Sequence, residues 1–193
     1  MMKINFLLIA ILSAGFPVYA KEMREIALIR DNYNEILKKI KNGSIYKREI
    51  RITYPVIPGV GPAASKVNIY YDMPEGMDGR YEYDILRIEN YYQHAGKMFY
   101  EEFVYNRKSE LMFYFGRRGT GDIGRTESAD WSAEERIYFW NGKPVRVQYG
   151  PEAIDRFMDN DLKKIEAVLN QAGRVRERSG QTSFPQPIRF FPE

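Results

Sequence analysis

The 193-residue chain contains no cysteine and only one histidine. The absence of cysteine excludes disulfides, thiol nucleophiles and cysteine-ligated metals, so the core alone has to hold the fold together. His94 falls in a predicted hairpin turn, a poor place to hold an imidazole between a nucleophile and an orienting acid. A zinc site would have to gather three carboxylates around this one imidazole. We therefore predict no metal and no cofactor.

The chain also lacks an excess of charge of one sign. Its 29 lysines and arginines oppose 26 acidic residues, and the two signs alternate along the chain. Nucleic-acid-binding proteins normally concentrate basic residues in a stripe. The basic cluster at Arg174, Arg176 and Arg178 contains Glu177 and lies near a predicted helix end, where cations favour the helix dipole. The sequence therefore predicts no nucleic-acid partner.

Long apolar runs are absent except near the start. Residues 6–16 form an apolar-to-small run that follows Lys3 and leads into residues 17–20, which end in a small-x-small-like pattern. This run is about eleven residues long, whereas a membrane span needs roughly 20. We predict a signal peptide over residues 1–20, cleaved after Ala20, and a periplasmic or secreted protein without a stable membrane span. The alternative is an anchor that is never removed.

Aromatic residues are abundant, with 15 tyrosines, 11 phenylalanines and two tryptophans, and such rings favour strands. Residues 21–41 place apolar side chains at helical spacing, and Asn42-Gly43 supplies a helix stop. The hydrophobic period then changes to two. Seven strands are predicted, at residues 46–54, 67–71, 85–92, 98–105, 111–115, 134–140 and 144–149. The Asn141-Gly142 pair predicts a tight hairpin turn between the last two.

A second helical stripe begins at Gly150-Pro151-Glu152 and continues to about Val175, with a break near Asp159-Asn160 as an alternative. We therefore predict an α+β fold, in which one twisted antiparallel meander of about six to eight strands carries an N-terminal and a C-terminal helix. Residues 21–178 are predicted to form a single domain, followed by an extended or flexible arm over residues 179–193.

Three segments carry a resemblance. They are IRDNYNEI in the first helix, EEFVYN in the fourth strand and RIYFWNGKPV across the Asn-Gly hairpin. Together they resemble a loose group of exported bacterial proteins of unknown function, over residues 24–149. The resemblance implies an envelope location and an antiparallel sheet, and it brings no catalytic residues.

Consecutive large apolar residues occur at residues 111–115 and 137–140. A strand with one wet face would alternate, so these strands should be covered on both sides. The two helices can cover one face, which leaves the other to sheet curvature, the C-terminal arm, a partner protein or a ligand. We predict that this face binds an unknown protein or a small apolar or glycan ligand. The candidate residues are Tyr71, Tyr91, Phe113, Tyr138 and Trp140.

Residues 119–124 match the G-x-G-x-x-G pattern and follow a predicted strand. A dinucleotide site also needs a helix that opens at the third glycine, and the polar residues 125–131 leave little room for one. We therefore predict a long flexible loop. Its Arg117, Arg118 and Arg125 could meet an anionic ligand, because loops often carry function.

Strand glutamates leave an enzymatic alternative open. Glu101 and Glu102 are adjacent and should point to opposite faces, but Glu89 could face one of them. A glycosidase-type hydrolase needs two carboxyl groups roughly 5 to 9 Å apart. Otherwise these residues should face water and pair with Arg87 or Arg136.

A further alternative is a half-barrel periplasmic carrier of an apolar molecule. The preferred prediction is an exported, non-enzymatic envelope protein that binds a partner or ligand through an aromatic sheet face.

Overall fold

The computed structural model describes residues 16–53, 64–72, 84–121 and 129–180. Helix α1 spans Phe16–Lys41 and helix α2 spans Asp159–Gly180. Between them lie eight strands: β1 (Tyr46–Thr53), β2 (Ala64–Asp72), β3 (Asp84–His94), β4 (Lys97–Tyr105), β5 (Leu111–Thr120), β6 (Asp130–Trp140), β7 (Lys143–Tyr149) and β8 (Glu152–Ile154). Each strand pairs antiparallel with the next, in chain order. The predicted α+β meander is confirmed.

Several predictions about the chain ends concern residues outside these ranges. Most of the predicted signal peptide, Arg125 and nearly all of the C-terminal arm lie there. The chain is already helical at residues 16–20, so α1 runs through the position predicted for cleavage. No helix in the described ranges is long and apolar enough to cross a membrane.

Tight turns join the central strands. Asn141 and Gly142 both have positive φ, 49° and 72°, the backbone that a type I′ hairpin turn requires. The predicted Asn-Gly hairpin is therefore confirmed. Ala95 and Gly96 repeat the arrangement between β3 and β4, with φ of 49° and 73°.

Two boundary predictions are wrong. Arg117, Arg118, Gly119 and Thr120 belong to β5 rather than to a loop. A Cβ on Gly119 would lie 2.0 Å from the carbonyl oxygen of Asp130, so this glycine permits close approach of β6 and does not end the strand.

The predicted start of the second helix at residues 150–152 is also wrong. Gly150 adopts a left-handed φ of 56°, which turns the chain back so that β8 pairs with β7. Helix α2 begins only at Asp159. Asp161 marks that start, because its carboxylate accepts a hydrogen bond of 2.9 Å from the Met158 amide.

The helices lie on opposite faces of the sheet. We call the side packed against α1 face one and the side packed against α2 face two. On face one, Ile26, Ile29 and Ile36 join a core with Val104 and Tyr138. On face two the core contains Ile165, Val168, Ala172, Val175, Phe103, Ile137 and Phe139.

Coverage of both faces of the central strands is therefore confirmed, but the expectation that both helices share one face is wrong. The adjacent residues Phe103 and Val104 are both fully buried, on opposite faces. Each face therefore has an apolar surface that needs a helix of its own.

Candidate binding grooves

Each helix covers only part of its face, and a groove lies beside it. Groove one, on face one, has a volume of about 430 Å³. Its floor is aromatic, formed by Tyr33, Tyr100, Phe113, Phe115 and Tyr138, and it carries four arginines, Arg30, Arg87, Arg117 and Arg136. Glu102 is the one carboxylate among its lining residues. The groove therefore combines flat apolar surface with positive charge.

Strand register explains why these side chains meet. Glu89, Glu102, Phe115 and Arg136 occupy directly opposed positions across β3 to β6. The neighbouring row places Tyr91, Tyr100, Arg117 and Glu134 side by side. Side chains two residues apart on a strand share a face, so both rows project toward α1.

A buried ion cluster fixes one end of groove one. Arg87 donates from Nε to Glu102 Oε1 at 2.6 Å and from Nη2 to Glu89 Oε1 at 2.9 Å. The second oxygens of the two carboxylates accept hydrogen bonds from Asn68, Tyr70 and Tyr100. The cluster holds one positive and two negative charges, and these neutral donors help to stabilise the second carboxylate, as burial requires. Burial, reinforced by the Glu102 charge, raises the pKa of Tyr100 well above its usual range, so its hydroxyl stays a donor.

The prediction that the strand glutamates face water is wrong. Side chains of Glu89 and Glu102 are only 11% and 3% exposed. Their predicted pairing with Arg87 is confirmed. The expected split of Glu101 and Glu102 is also confirmed, since Glu102 meets Arg87 while Glu101 contacts Gln171 of α2.

Aromatic rings orient the remaining arginines of groove one. The Arg117 guanidinium lies 4.1 Å from the Trp131 ring centroid and 5.0 Å from that of Tyr100. Arg136 stacks over Phe115 at 5.0 Å, and Arg30 lies 5.7 Å from the Tyr138 ring. Stacking holds a guanidinium by its flat face and leaves its N–H edge for an acceptor.

Two of the four arginines have no carboxylate to neutralise them. Arg87 is held by two glutamates, and Arg136 donates to Glu134 at 2.9 Å. In the described part of the chain, no carboxylate lies within 4.0 Å of Arg30 or Arg117. The buried Nε of Arg117 also has no hydrogen-bond partner there. These two side chains are therefore available to an anion.

Groove two lies on face two and has a volume of about 570 Å³. Across its floor, Glu101 of β4, Gly116 of β5 and Glu135 of β6 are directly opposed. A Cβ on Gly116 would lie 2.5 Å from Tyr114 Oη and 2.8 Å from Glu135 Oε1. The glycine therefore makes room for these two polar groups. Lys164 of α2 reaches Glu135 Oε1 at 2.8 Å.

Glu101 is the most deeply buried acid of groove two. Asn90 and Gln171 donate to its Oε2 at 3.1 and 2.6 Å. Burial nevertheless raises the pKa of Glu101 to about 7, against the lowering effect of these hydrogen bonds. The Tyr114 hydroxyl lies 3.1 Å from Glu135 Oε1 and 3.5 Å from Glu101 Oε1. Since it has one proton, its better bond goes to Glu135.

Both carboxylate pairs already hold a group between their members. Arg87 bridges Glu89 and Glu102, and the Tyr114 hydroxyl bridges Glu101 and Glu135. A glycosidase leaves that space for the scissile bond and, in inverting enzymes, a water. The geometry of these pairs therefore differs from that of a glycosidase carboxylate pair.

The predicted site residues do not form one open surface. Phe113 and Tyr138 line groove one, but they are 9% and 4% exposed. Tyr91 packs on Tyr100 with ring centroids 4.6 Å apart, and Trp140 packs against the α1 core. Tyr71 belongs to face two, where it stacks on Tyr46.

The arginines predicted to bind an anion are also divided between the two grooves. Arg117 lines both grooves and Arg118 lines groove two. Arg125 lies outside the described residues. Sequence reasoning missed Arg30, Trp131, Glu135 and Lys164, because their neighbours depend on strand register and helix placement. One signal was present: Arg30 directly follows Ile29 of the apolar stripe, and a residue beside a stripe borders the covered surface.

Among the residues described, no three His, Asp or Glu side chains converge to hold a metal ion. Comparison of the chain with protein-family models, with curated proteins and with solved structures finds no match. The resemblance to exported bacterial proteins of unknown function therefore stays a prediction.

Proposed function

We propose that the protein is an exported, periplasmic or secreted binding protein, and that groove one holds a small ligand with an anionic group and a flat apolar body. The observation that supports this most is the pair of uncompensated arginines, Arg30 and Arg117, above an aromatic floor. An anion there replaces no existing ion pair, so its binding gains charge-assisted hydrogen bonds without breaking any.

The shape of the available space supports the same ligand class. The centre of the sheet is filled by its own side chains, so room for a ligand lies beside the helices. A groove of about 430 Å³ falls in the range of small-molecule sites. A long apolar chain, as in a carrier, would leave the half-buried Arg117 without an acceptor, which costs free energy for a desolvated polar group.

Two related dyes test the proposal by fluorescence titration. The anionic probe 8-anilinonaphthalene-1-sulfonate should bind more tightly than uncharged N-phenyl-1-naphthylamine, which has a similar ring system. Arg30→Ala and Arg117→Ala should each weaken sulfonate binding by about tenfold, the effect of losing one charge-assisted hydrogen bond. The uncharged dye should bind these variants almost as it binds the unaltered protein.

Arg174→Ala is the matched control, because Arg174 is an exposed arginine of α2 on the other face of the sheet. It should leave both affinities unchanged. The proposal fails if Arg30→Ala and Arg117→Ala behave like Arg174→Ala, or if the two dyes bind equally well.

A further inference from the structure

Groove two differs from groove one in its charge. Its most exposed ionic contact is the pair Lys164–Glu135, whose side chains are 41% and 21% exposed. Burial keeps Glu101 largely protonated below its pKa of about 7. The Lys164 and Glu135 charges on the floor therefore cancel, although Arg117 and Arg118 also line this groove. A charged group gains little at the Lys164–Glu135 pair itself, because it would have to displace one partner of the pair.

The polar groups of groove two offer both kinds of hydrogen bond. Glu135 presents carboxylate oxygens as acceptors, Lys164 presents N–H donors, and Tyr114 adds a hydroxyl. Gly116 keeps the space around Tyr114 and Glu135 clear of any side chain of its own. A ligand hydroxyl donates and accepts at once, so it is the group that matches neighbouring donors and acceptors.

An aromatic wall stands beside these groups. The half-buried rings of Tyr92 and Phe99 stack with centroids 4.8 Å apart and an interplanar angle of 8°. Both rings line groove two. Because the two rings stack on each other, the pair offers an outer ring face and its ring edges to the groove. An outer ring face accepts the C–H face of a saturated ring, while the hydroxyls on that ring point outward to polar partners.

We propose that groove two is a second binding site, which takes a neutral polyhydroxylated ligand of the carbohydrate class. The ligand ring lies on the wall formed by Tyr92 and Phe99, and its hydroxyls bond to Glu135 and Lys164. The two grooves share Tyr100 and Arg117, but the four residues assigned to the sugar line groove two alone. The site therefore does not depend on the function proposed for groove one.

Saturation-transfer difference NMR with maltotriose, cellotriose and chitotriose tests this site at millimolar sugar. At least one of these uncharged trisaccharides should give signals, strongest for protons on one ring face. Phe99→Ala removes part of the wall, and Lys164→Ala removes a partly exposed donor. Each should weaken binding about fivefold, the effect of one ordinary contact.

Arg30→Ala is the control, because it alters groove one alone, and it should leave the sugar signals unchanged. Circular dichroism checks that the sheet of the Phe99→Ala variant is intact. If that sheet is disrupted, the Lys164→Ala variant alone decides the test. The proposal is overturned if none of the three sugars gives a signal. It is also overturned if the sugar signals of the Lys164→Ala variant are as strong as those of the unaltered protein.

Discussion

Among the described residues, Glu101 is a carboxyl group whose pKa lies far above its usual value. Burial raises its pKa from 4.5 to about 7. A carboxyl group whose pKa is higher in the folded state binds a proton more tightly there, so it stabilises the fold at low pH. Its contribution is complete below about pH 4.5 and is lost as pH rises through about 7. This is opposite to the usual behaviour of a carboxylate held in an ion pair.

We expect the free energy of unfolding to show this loss in urea titrations at pH 5 and pH 8. The Glu101 contribution should fall by up to about 3 kcal/mol over that range. Glu101→Gln should remove this pH-dependent loss of stability, because the amide keeps the shape of the protonated acid and has no charge to bury. The readout is the difference between the two proteins at each pH.

Glu166→Gln changes an exposed glutamate of α2 and should leave the pH dependence as it is. A Glu101→Gln profile parallel to that of the unaltered protein would show that Glu101 is ionised in the folded state.

Among the elements, α2 shows how far local sequence determines structure. Of its apolar stripe, Ile165, Val168 and Ala172 are buried, whereas Met158 and Leu162 are exposed. The preferred start at residues 150–152 is wrong, because Gly150-Pro151 serves a turn as well as it serves a helix. The alternative break near Asp159-Asn160 is where the helix begins. What fixes the start is Asp161, which accepts hydrogen bonds from the Met158 amide and from the Tyr149 hydroxyl of β7. The second of these contacts is tertiary, so no local pattern reveals it.

Asp161→Ala should therefore lower the free energy of unfolding by about 1 to 2 kcal/mol, the cost of an unsatisfied helix terminus. Chemical denaturation measures this cost. Asp159→Ala, two residues earlier, removes an exposed acid from the same first turn and should cost only a few tenths of a kcal/mol. Equal losses in the two variants would mean that helix-dipole charge, rather than the hydrogen bonds of Asp161, determines where α2 begins.

For the whole molecule, the placement of the helices decides what each groove contains. The meander could be predicted because sequential hairpins carry local turn signals. Phe113 and Tyr138 of groove one were candidates from the strand pattern, and Arg117 was a candidate from a predicted loop. Arg30 reaches that groove only because α1 packs against β6 and β7. The strand pattern does not reveal which face a helix takes, so the division into two grooves required the structure.

Ile29→Ala tests whether α1 belongs to the same cooperative unit as the sheet. Ile29 is 1% exposed, and Leu28 beside it is 43% exposed. Ile29→Ala should cost about 2 to 5 kcal/mol through the cavity it leaves, whereas Leu28→Ala should stay within about 0.5 kcal/mol. Thermal unfolding followed by helix and aromatic signals should give one shared transition. Two separate transitions, with the sheet unaffected by Ile29→Ala, would show that α1 is only loosely attached.

The open meander ends in two strands, β1 and β8, each of which pairs on one side only within the described sheet. Such strands invite another chain to extend the sheet, which leads to aggregation. Here β8 is three residues long, and β1 is largely exposed with Lys47, Arg48, Glu49 and Arg51 along it. A chain that docked against β1 would have to desolvate these charges, and β8 offers too short a template. The two edge strands of the described sheet thus discourage polymerisation of the molecule.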